Sequence, residues 1–444
     1  MKPIEGDVLE RYLANPLFRS ARFEELVLDD DPYRRPVRPD DLGMVDFGAR
    51  LERTDATRLS GLMAHRILLN IHDAHELLLP RTHTAENRAS FELFYHPDNI
   101  ALGDQVRPQL ERHVFDFVRD GAREHVRASR ADVVDQIHEL VDHRDARAAE
   151  LERVLATSPD PAQLNGMVAI QSVAQALNAE LRPAKRLLPL AGSAAIATVL
   201  GTPAPGQYRP VRRIAEFGGI KAEPHSYCQY YLPSTLALMN YVNTTFRPGQ
   251  LFAFAGALVA RFAEAQALTT VDLCGGHDPL PSGDLAAAVT ELIGEVERVG
   301  GAYGLRELSR GLEEYRVLLD VHDDERLRQF RWITTMPYYQ EKAERLQAAI
   351  ETHHIDVDLD TFIESWEECS TTHVHDEDRL LIIESGEMEF WNCFGVQHKY
   401  LPGDMAFIPK HSLHGSVVFS GQCVYHQPII TEELDRRFGT VGPE

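Results

Sequence analysis

The chain has 444 residues, 44% of them hydrophobic and 25% charged, with 68 acidic against 45 basic side chains and a formal net charge of −23. That length exceeds one ordinary core and predicts two or three domains, with the composition of a globular protein. So acidic a balance argues against nucleic acid or an anionic membrane surface as partner, since either would be repelled.

The first residues, "MKPIEGDVLERYLANPLF", lack the apolar core of a secretory leader. No apolar run approaches a membrane span, so a cytoplasmic protein is expected. Cys228, Cys274, Cys369, Cys393 and Cys423 form no CxxC pair, which signals neither a disulfide framework nor a thiolate zinc site.

Up to about residue 130 the pattern is helical. "RLSGLMAHRILLNIHDAHELLL" and "VRPQLERHVFDFV" carry apolar residues at helical spacing, with a loop-like "RTHTAENRASFELFYHPDN" between them. His65, His72 and His75 fall at helical steps of seven and three, where packing or solvent contact is the commoner use of histidine. From 131 to about 350 helices continue, through the charged "DQIHELVDHRDARAAELERVLA", the proline-punctuated "SPDPAQLNG" and the alanine- and leucine-rich "LFAFAGALVARFAEAQAL". "LGTPAPGQYRP" reads as a loop. After "HHIDVDLD" the pattern changes to short β-rich runs, "RLLIIESGEMEFW", "HKYLPGDMAFIPK" and "GSVVFSGQCVYHQPII", separated by Gly, Pro and Asn. That spacing predicts an all-β sandwich or barrel at the end of the chain.

Within this last part, "TTHVHDEDRLLIIESGEME" and "GDMAFIPKHSLHG" hold His373, His375 and His414. Residues two apart on a strand share a face, so His373 and His375 aim together into a barrel while Val374 points away. A hairpin after "IPKHSLHG" returns His414 to the same interior. Three neutral imidazoles on one side leave open positions for ligands, a set suited to Fe(II), Cu, Ni or Zn.

The order HxH, Gly386 eleven residues later, then GDxxxxPxxxxH, resembles the paired motifs of the cupin family. Many cupins add a glutamate ligand in the first motif; here Arg379 stands at that place, and Glu377 is the neighbour that could substitute. A metal-free binding barrel is the plainer alternative.

Four upstream segments occur in order ahead of these motifs: "DPYRRPVRP", "FYHPDNIALGDQVRPQLERHVFDFV", "YCQYYLPSTLALMNYV" and "GLEEYRVLLDV". Together with the cupin motifs they resemble the N-nitrosourea-forming synthases of the streptozotocin type, collinearly over nearly the whole chain. The resemblance implies a helical dimerisation domain (1–130), a haem-oxygenase-like helical domain (131–350) and a C-terminal cupin barrel (351–444). It also implies that a di-iron site in the central domain N-hydroxylates a methylated arginine. The mono-iron cupin then uses O2 to rearrange the hydroxylated guanidine, forming an N–N bond.

Carried over, the cupin iron ligands are His373, His375 and His414. The di-iron set carries over poorly. Glu180, Glu216, His225 and His277 match, but Phe262 stands where a glutamate is expected, and Pro281 and Asp284 replace the last two members of a His-Asp-His set. Two iron ions need several carboxylates, so the central site is expected to be degenerate, with Glu264 and Asp284 as nearby carboxylates that keep a di-iron reading open. The expected activity is then a cupin Fe(II) oxygenase that takes an already N-hydroxylated arginine derivative, as a homodimer. Arg379 would meet the substrate carboxylate, and Glu377, Glu384, Glu387 and Glu389 would lie near its cationic groups. A non-catalytic paralogue that only binds metal or a small molecule, and a two-site oxygenase with a live central domain, are the alternatives.

Overall fold

The structure, a computed structural model, describes residues 6–19, 33, 35–37, 42, 45–79, 83–157, 161–180, 228–247, 249–270, 282–334, 336–366, 370, 372–392 and 397–439. Up to residue 353 these are almost wholly helical: α1 (Gly6–Leu13), α2 (Leu59–Asp73), α3 (Ala85–Phe94), α4 (Pro97–Ala122), α5 (Arg130–Thr157), α6 (Pro161–Glu180), α7 (Pro233–Thr245), α8 (Leu251–Thr270), α9 (Ser282–Thr334) and α10 (Met336–His353). Local chemistry sets several starts. Thr84 accepts a hydrogen bond from the Asn87 N–H at 3.1 Å to cap α3, and Pro97 and Pro233 occupy first turns, where no N–H is needed.

Helix α2 is buried on every side from Gly61 to Asp73, which is why it reads as apolar all round. Its cover comes from this same chain. One apolar core, including Leu68, Leu110, Ile137, Leu238, Leu258 and Leu312, runs through α2, α4, α5, α7, α8 and α9. Helices α8 and α9 touch backbone to backbone: a Cβ on Gly256 would overlap the Leu308 carbonyl, and one on Gly311 the Ala253 carbonyl. Helix α9 breaks once, at Gly301 (φ 56°), a conformation that glycine adopts without steric cost.

The C-terminal part is antiparallel β, with strands β3 (Thr361–Ser365), β4 (Asp378–Ser385), β5 (Met388–Asn392), β6 (Gln397–Tyr400), β7 (Met405–Ile408), β8 (His414–Val418), β9 (Gln422–His426) and β10 (Ile429–Ile430); the two-residue β1 (Phe18–Arg19) and β2 (Arg35–Pro36) pair in parallel far upstream. One sheet has the order β10-β4-β9-β3 with β7 also on β4, and the second is β6-β5-β8. The two face each other over Leu381, Ile383, Met388, Phe390, Val418 and Tyr425, a cupin-like arrangement. Gly386 turns the β4–β5 corner at φ 88°, where a Cβ would strike the Gln422 carbonyl. The expected architecture, helices first and a small β-barrel last, is therefore what the chain adopts.

The β part is wrapped by helix on two sides. Helix α10 lays Ala343, Leu346 and Ile350 on Leu380, Phe407 and Ile430. The face bearing Val374, Trp391, Leu413 and Val417 packs on Leu62, Leu69, Leu232 and Phe330 of the helical part. Trp332, in the last turn of α9, enters the apolar interior between the two sheets. Among the described residues no helix is long and apolar enough to cross a membrane.

Candidate metal centre

The HxH segment is extended, and alternation sends Val374 outward into the helical contact while His373 and His375 face the interior. His414 opens β8 and pairs with His373 through two backbone hydrogen bonds, His373 N–H to His414 O at 2.8 Å and His414 N–H to His373 O at 3.0 Å. The His411 N–H donates to the His375 carbonyl at 2.8 Å and closes the other side. The three rings then converge, with centroids 4.5 to 4.9 Å apart and one ligating atom from each lying within 4.8 Å of the others. Among the described residues no other group of three or more metal-ligating side chains gathers in this way.

The donor set fits a divalent transition metal. His414 Nδ1 lies 2.7 Å from the Ser412 carbonyl, so that nitrogen carries the proton and Nε2 keeps its lone pair. The Nε2 atoms of His375 and His414 are buried, and no described group bonds to either. Burial, then the charge of His373, holds the His414 imidazole well below its ordinary pKa, with Arg379 adding to the effect. For His375 the order is burial, His373, His414 and Arg379. Imidazoles that stay neutral are ready ligands at neutral pH without first losing a proton.

Arg379 lies on β4 at the same parity as Leu381 and Ile383 of the interior, beside the triad that its charge influences. It is one-eighth exposed, donates to Asp360 Oδ2 at 2.8 Å and has Glu377 at 3.9 Å, while its Nε bonds to no described group. Glu377 is half exposed at the rim. Of the other expected carboxylates, Glu384 pairs with His426 at 3.0 Å and Glu387 with Lys399 at 2.6 Å, both at the surface. The carboxylate that does turn inward is Glu364 of β3, opposite Cys423, which accepts from the Tyr425 hydroxyl at 2.7 Å. Alternation within "TFIES" holds that information, but nothing marks β3 as a strand before its partner is known.

Two further interior residues escape a reading of motifs. Trp332 is fully buried, its ring edge-on to His414 (6.3 Å, 85°) and to Phe390 (6.3 Å, 81°), while Phe390 stacks on His414 at 5.4 Å. Asn392 ends β5 directly across from His414. The helical part also holds the ligand-bearing loops from outside. Arg66 Nη1 donates to the Thr372 carbonyl at 2.7 Å, the Thr372 hydroxyl donates to Gln229 Oε1 at 2.7 Å, and the Leu59 N–H donates to Asp376 at 3.0 Å. Gln329 Nε2 donates to the His411 carbonyl at 3.1 Å.

In the helical part, Glu216, His225 and His277 lie outside the described residues, as do Pro281 and the side chains of Glu180 and Asp284. Phe262 packs against the main helical core. Glu264 is engaged by arginines: Arg144 Nε donates to it at 2.7 Å and Arg326 Nη2 at 3.2 Å, while Arg144 grips Asp323 with two bonds of 2.7 and 2.9 Å. Burial disfavours charge on Asp323, yet Arg326 and Arg144 outweigh it and hold the carboxyl well below the usual range. His65 and His72 are buried in packing, and His75 sits at the surface 3.2 Å from Asp104, so these three form no cluster.

No protein-family model matches the chain. Compared with characterised proteins, it is similar to the nitrosourea synthase of Streptomyces achromogenes subsp. streptozoticus, at 27% identity in a 464-residue alignment that covers 94% of each chain.

Proposed function

We propose, from this likeness and the inward-facing triad, that the chain is a cupin-type non-haem iron oxygenase. With O2 as co-substrate it rearranges an N-hydroxylated arginine or guanidine, forming an N–N bond in an N-nitroso or diazeniumdiolate product for natural-product biosynthesis. The observation that carries the reading is the convergence of three histidines with two buried, unbonded Nε2 atoms at the only such cluster among the described residues.

His373, His375 and His414 would hold the Fe(II). When bound, the iron supplies the one-electron chemistry through which dioxygen reacts with an organic molecule. The remaining roles belong to the chain's own groups. The Ser412 carbonyl keeps the proton on His414 Nδ1, so that Nε2 faces the site. Phe390 and Trp332 fix the His414 ring and exclude water around it. Arg379 orients a substrate carboxylate through its inner N–H, held in place by Asp360, and Glu377 draws a cationic group to the rim.

The first hydroxylation is assigned to another enzyme. Support comes from Glu264, which two guanidiniums already neutralise, and from Phe262 at an expected ligand position. Residues 131–350 then act as a haem-oxygenase-like scaffold with a degenerate di-iron site, 1–130 as the dimerisation part of a homodimer, and 351–444 as the cupin.

Iron-loaded protein is expected to consume O2 with N-hydroxy-L-arginine and to give an N–N-bonded product by mass spectrometry. His373→Ala, His375→Ala or His414→Ala should each abolish this and lower bound iron, whereas Glu216→Ala and His225→Ala should retain it. Turnover of unhydroxylated arginine, or loss of activity in a folded Glu216→Ala protein, would return the first oxidation to the central domain.

A further inference from the structure

Asn392 closes strand β5 in register with His414 of β8, with Phe390 opposite Ser416 and Met388 opposite Val418. Residues directly opposite in an antiparallel pair share a face, and Met388, Phe390 and Val418 are interior, so the Asn392 side chain lies on the interior face beside His414. It is fully buried. Among the described residues nothing bonds to its Oδ1 or its Nδ2. Both atoms are unmatched among the described residues, whichever of the two is the oxygen.

A buried amide with neither group satisfied is expensive to keep, and natural cores rarely hold one. Nor is it the only unmatched group there. The indole Nε1 of Trp332 and the Nε of Arg379 are likewise buried without a described acceptor, both beside the triad. The neighbours of Asn392 explain its burial but not its chemistry. Phe390 and Trp391, the residues before it, are packed apolar side chains, and leucine would serve as well there if filling space were the task.

We propose that Asn392 is the substrate-recognising residue of the cupin site. Its amide offers a donor and an acceptor side by side, the complement of a planar group that presents N–H and a lone-pair atom along one edge. An N-hydroxyguanidine or a urea has such an edge; a simple carboxylate or an alkyl amine does not. The inference rests on the oxygenase reading given above and adds the group that would hold the reacting end of the substrate near the triad, while Arg379 holds the carboxylate end.

The test uses full-length protein loaded with Co(II), whose absorption bands report the histidine site without turnover. Wild type, Asn392→Leu and Asn392→Asp are titrated anaerobically with N-hydroxy-L-arginine by calorimetry, and their urea midpoints are compared. Asn392→Leu is expected to keep the Co(II) bands, to bind the probe at least about tenfold more weakly, and to unfold at a higher urea concentration because an unmatched amide has been removed. That pairing of weaker binding with greater stability is the mark of a recognition role; a structural asparagine would move stability the other way. Equal probe binding in wild type and Asn392→Leu, or a destabilised Asn392→Leu protein, overturns the role of Asn392 alone. Wild type that binds Co(II) but no probe overturns both this role and the proposed substrate class. Wild type that binds no Co(II) removes the metal-site reading and this inference with it.

Discussion

Arg379 stands in the sequence where many cupins carry an anionic ligand, and its charge reaches His375 and His414. Opposite consequences follow for metal and substrate. A guanidinium whose charge reaches the triad would repel a bound cation, and Asp360 cancels part of that repulsion. Arg379→Met is therefore expected to tighten Co(II) binding by about tenfold, or about 1.4 kcal/mol, while raising the KM for a carboxylate-bearing substrate. Competition against a chelator gives the first and steady-state kinetics the second. A fall in metal affinity would mean that Arg379 supports the triad rather than opposing it. His65 makes a separate point about acid. Burial, aided by His113, holds its pKa near 3 against an ordinary 6.5. Above about pH 6.5 folded and unfolded chains are both neutral there, and below it only the unfolded chain gains the proton. Stability should fall as pH drops from 6.5, by up to about 1.4 kcal/mol per pH unit for this group. Urea midpoints at pH 7 and pH 5 measure the drop, and His65→Gln should shrink it.

At the level of elements, the loops that carry the three histidines belong to two bodies at once. Thr372, Asp376 and His411 are bonded to Gln229, Arg66, Leu59 and Gln329 of the helical part, and Val374, Trp391, Leu413 and Val417 bury their outer faces there. A fragment beginning near residue 356 would expose that apolar face and lose Trp332 from its interior. It is expected to aggregate or to lose defined Co(II) bands, which expression with circular dichroism and Co(II) titration would reveal; a soluble fragment with full metal affinity would show that the helical contacts are dispensable. The same arrangement explains what could be read from residues alone. His373, His375 and His414 were legible because strand alternation and one hairpin are short-range rules, and they needed nothing beyond residues 371–415. The outward direction of Val374 followed from the same alternation, but its burial did not, since that depends on the helices packed outside it. Trp332 was not legible, since it ends an amphipathic helix forty-one residues before His373 and only the packing of α9 into the sheets gives it a role. Asn392 looked like turn punctuation after "MEFW", because its inward parity depends on where β5 stops. Glu364 was hidden for a similar reason, in a strand whose partner is sixty residues away.

Taken as a whole, the helical body is held by charge as well as by apolar packing. Arg144 and Arg326 meet Glu264 and Asp323 in a buried quartet that joins α5, α8 and α9, with Arg147 also bonded to Asp323 at its edge. Removing Arg144 leaves Glu264 and Asp323 to share the one remaining buried cation, Arg326, with Arg147 reaching Asp323 from the edge. Arg144→Met is expected to cost about 3–5 kcal/mol, measured by urea unfolding, whereas an effect below about 1 kcal/mol would mean that water reaches the quartet. In "RLSGLMAHRILLNIHDAHELLL" the helix itself is covered by the chain's own core from Gly61 to Asp73, whereas Leu77 and Leu79 beyond its end are exposed.

The seating of Trp332 between the sheets also has a consequence in time. The chain is made from its N-terminus, so α9 emerges complete while every strand from Thr361 to Ile430 is still to come. At about 5–20 residues per second, the roughly hundred residues that follow Trp332 take on the order of 5 to 20 seconds to appear. Through that interval the indole has no barrel to enter, and the last strands must close around a side chain already in place. The barrel is therefore assembled on a template rather than capped afterwards, and the nascent helical body needs shielding of its α9 tip until Ile430 has left the ribosome.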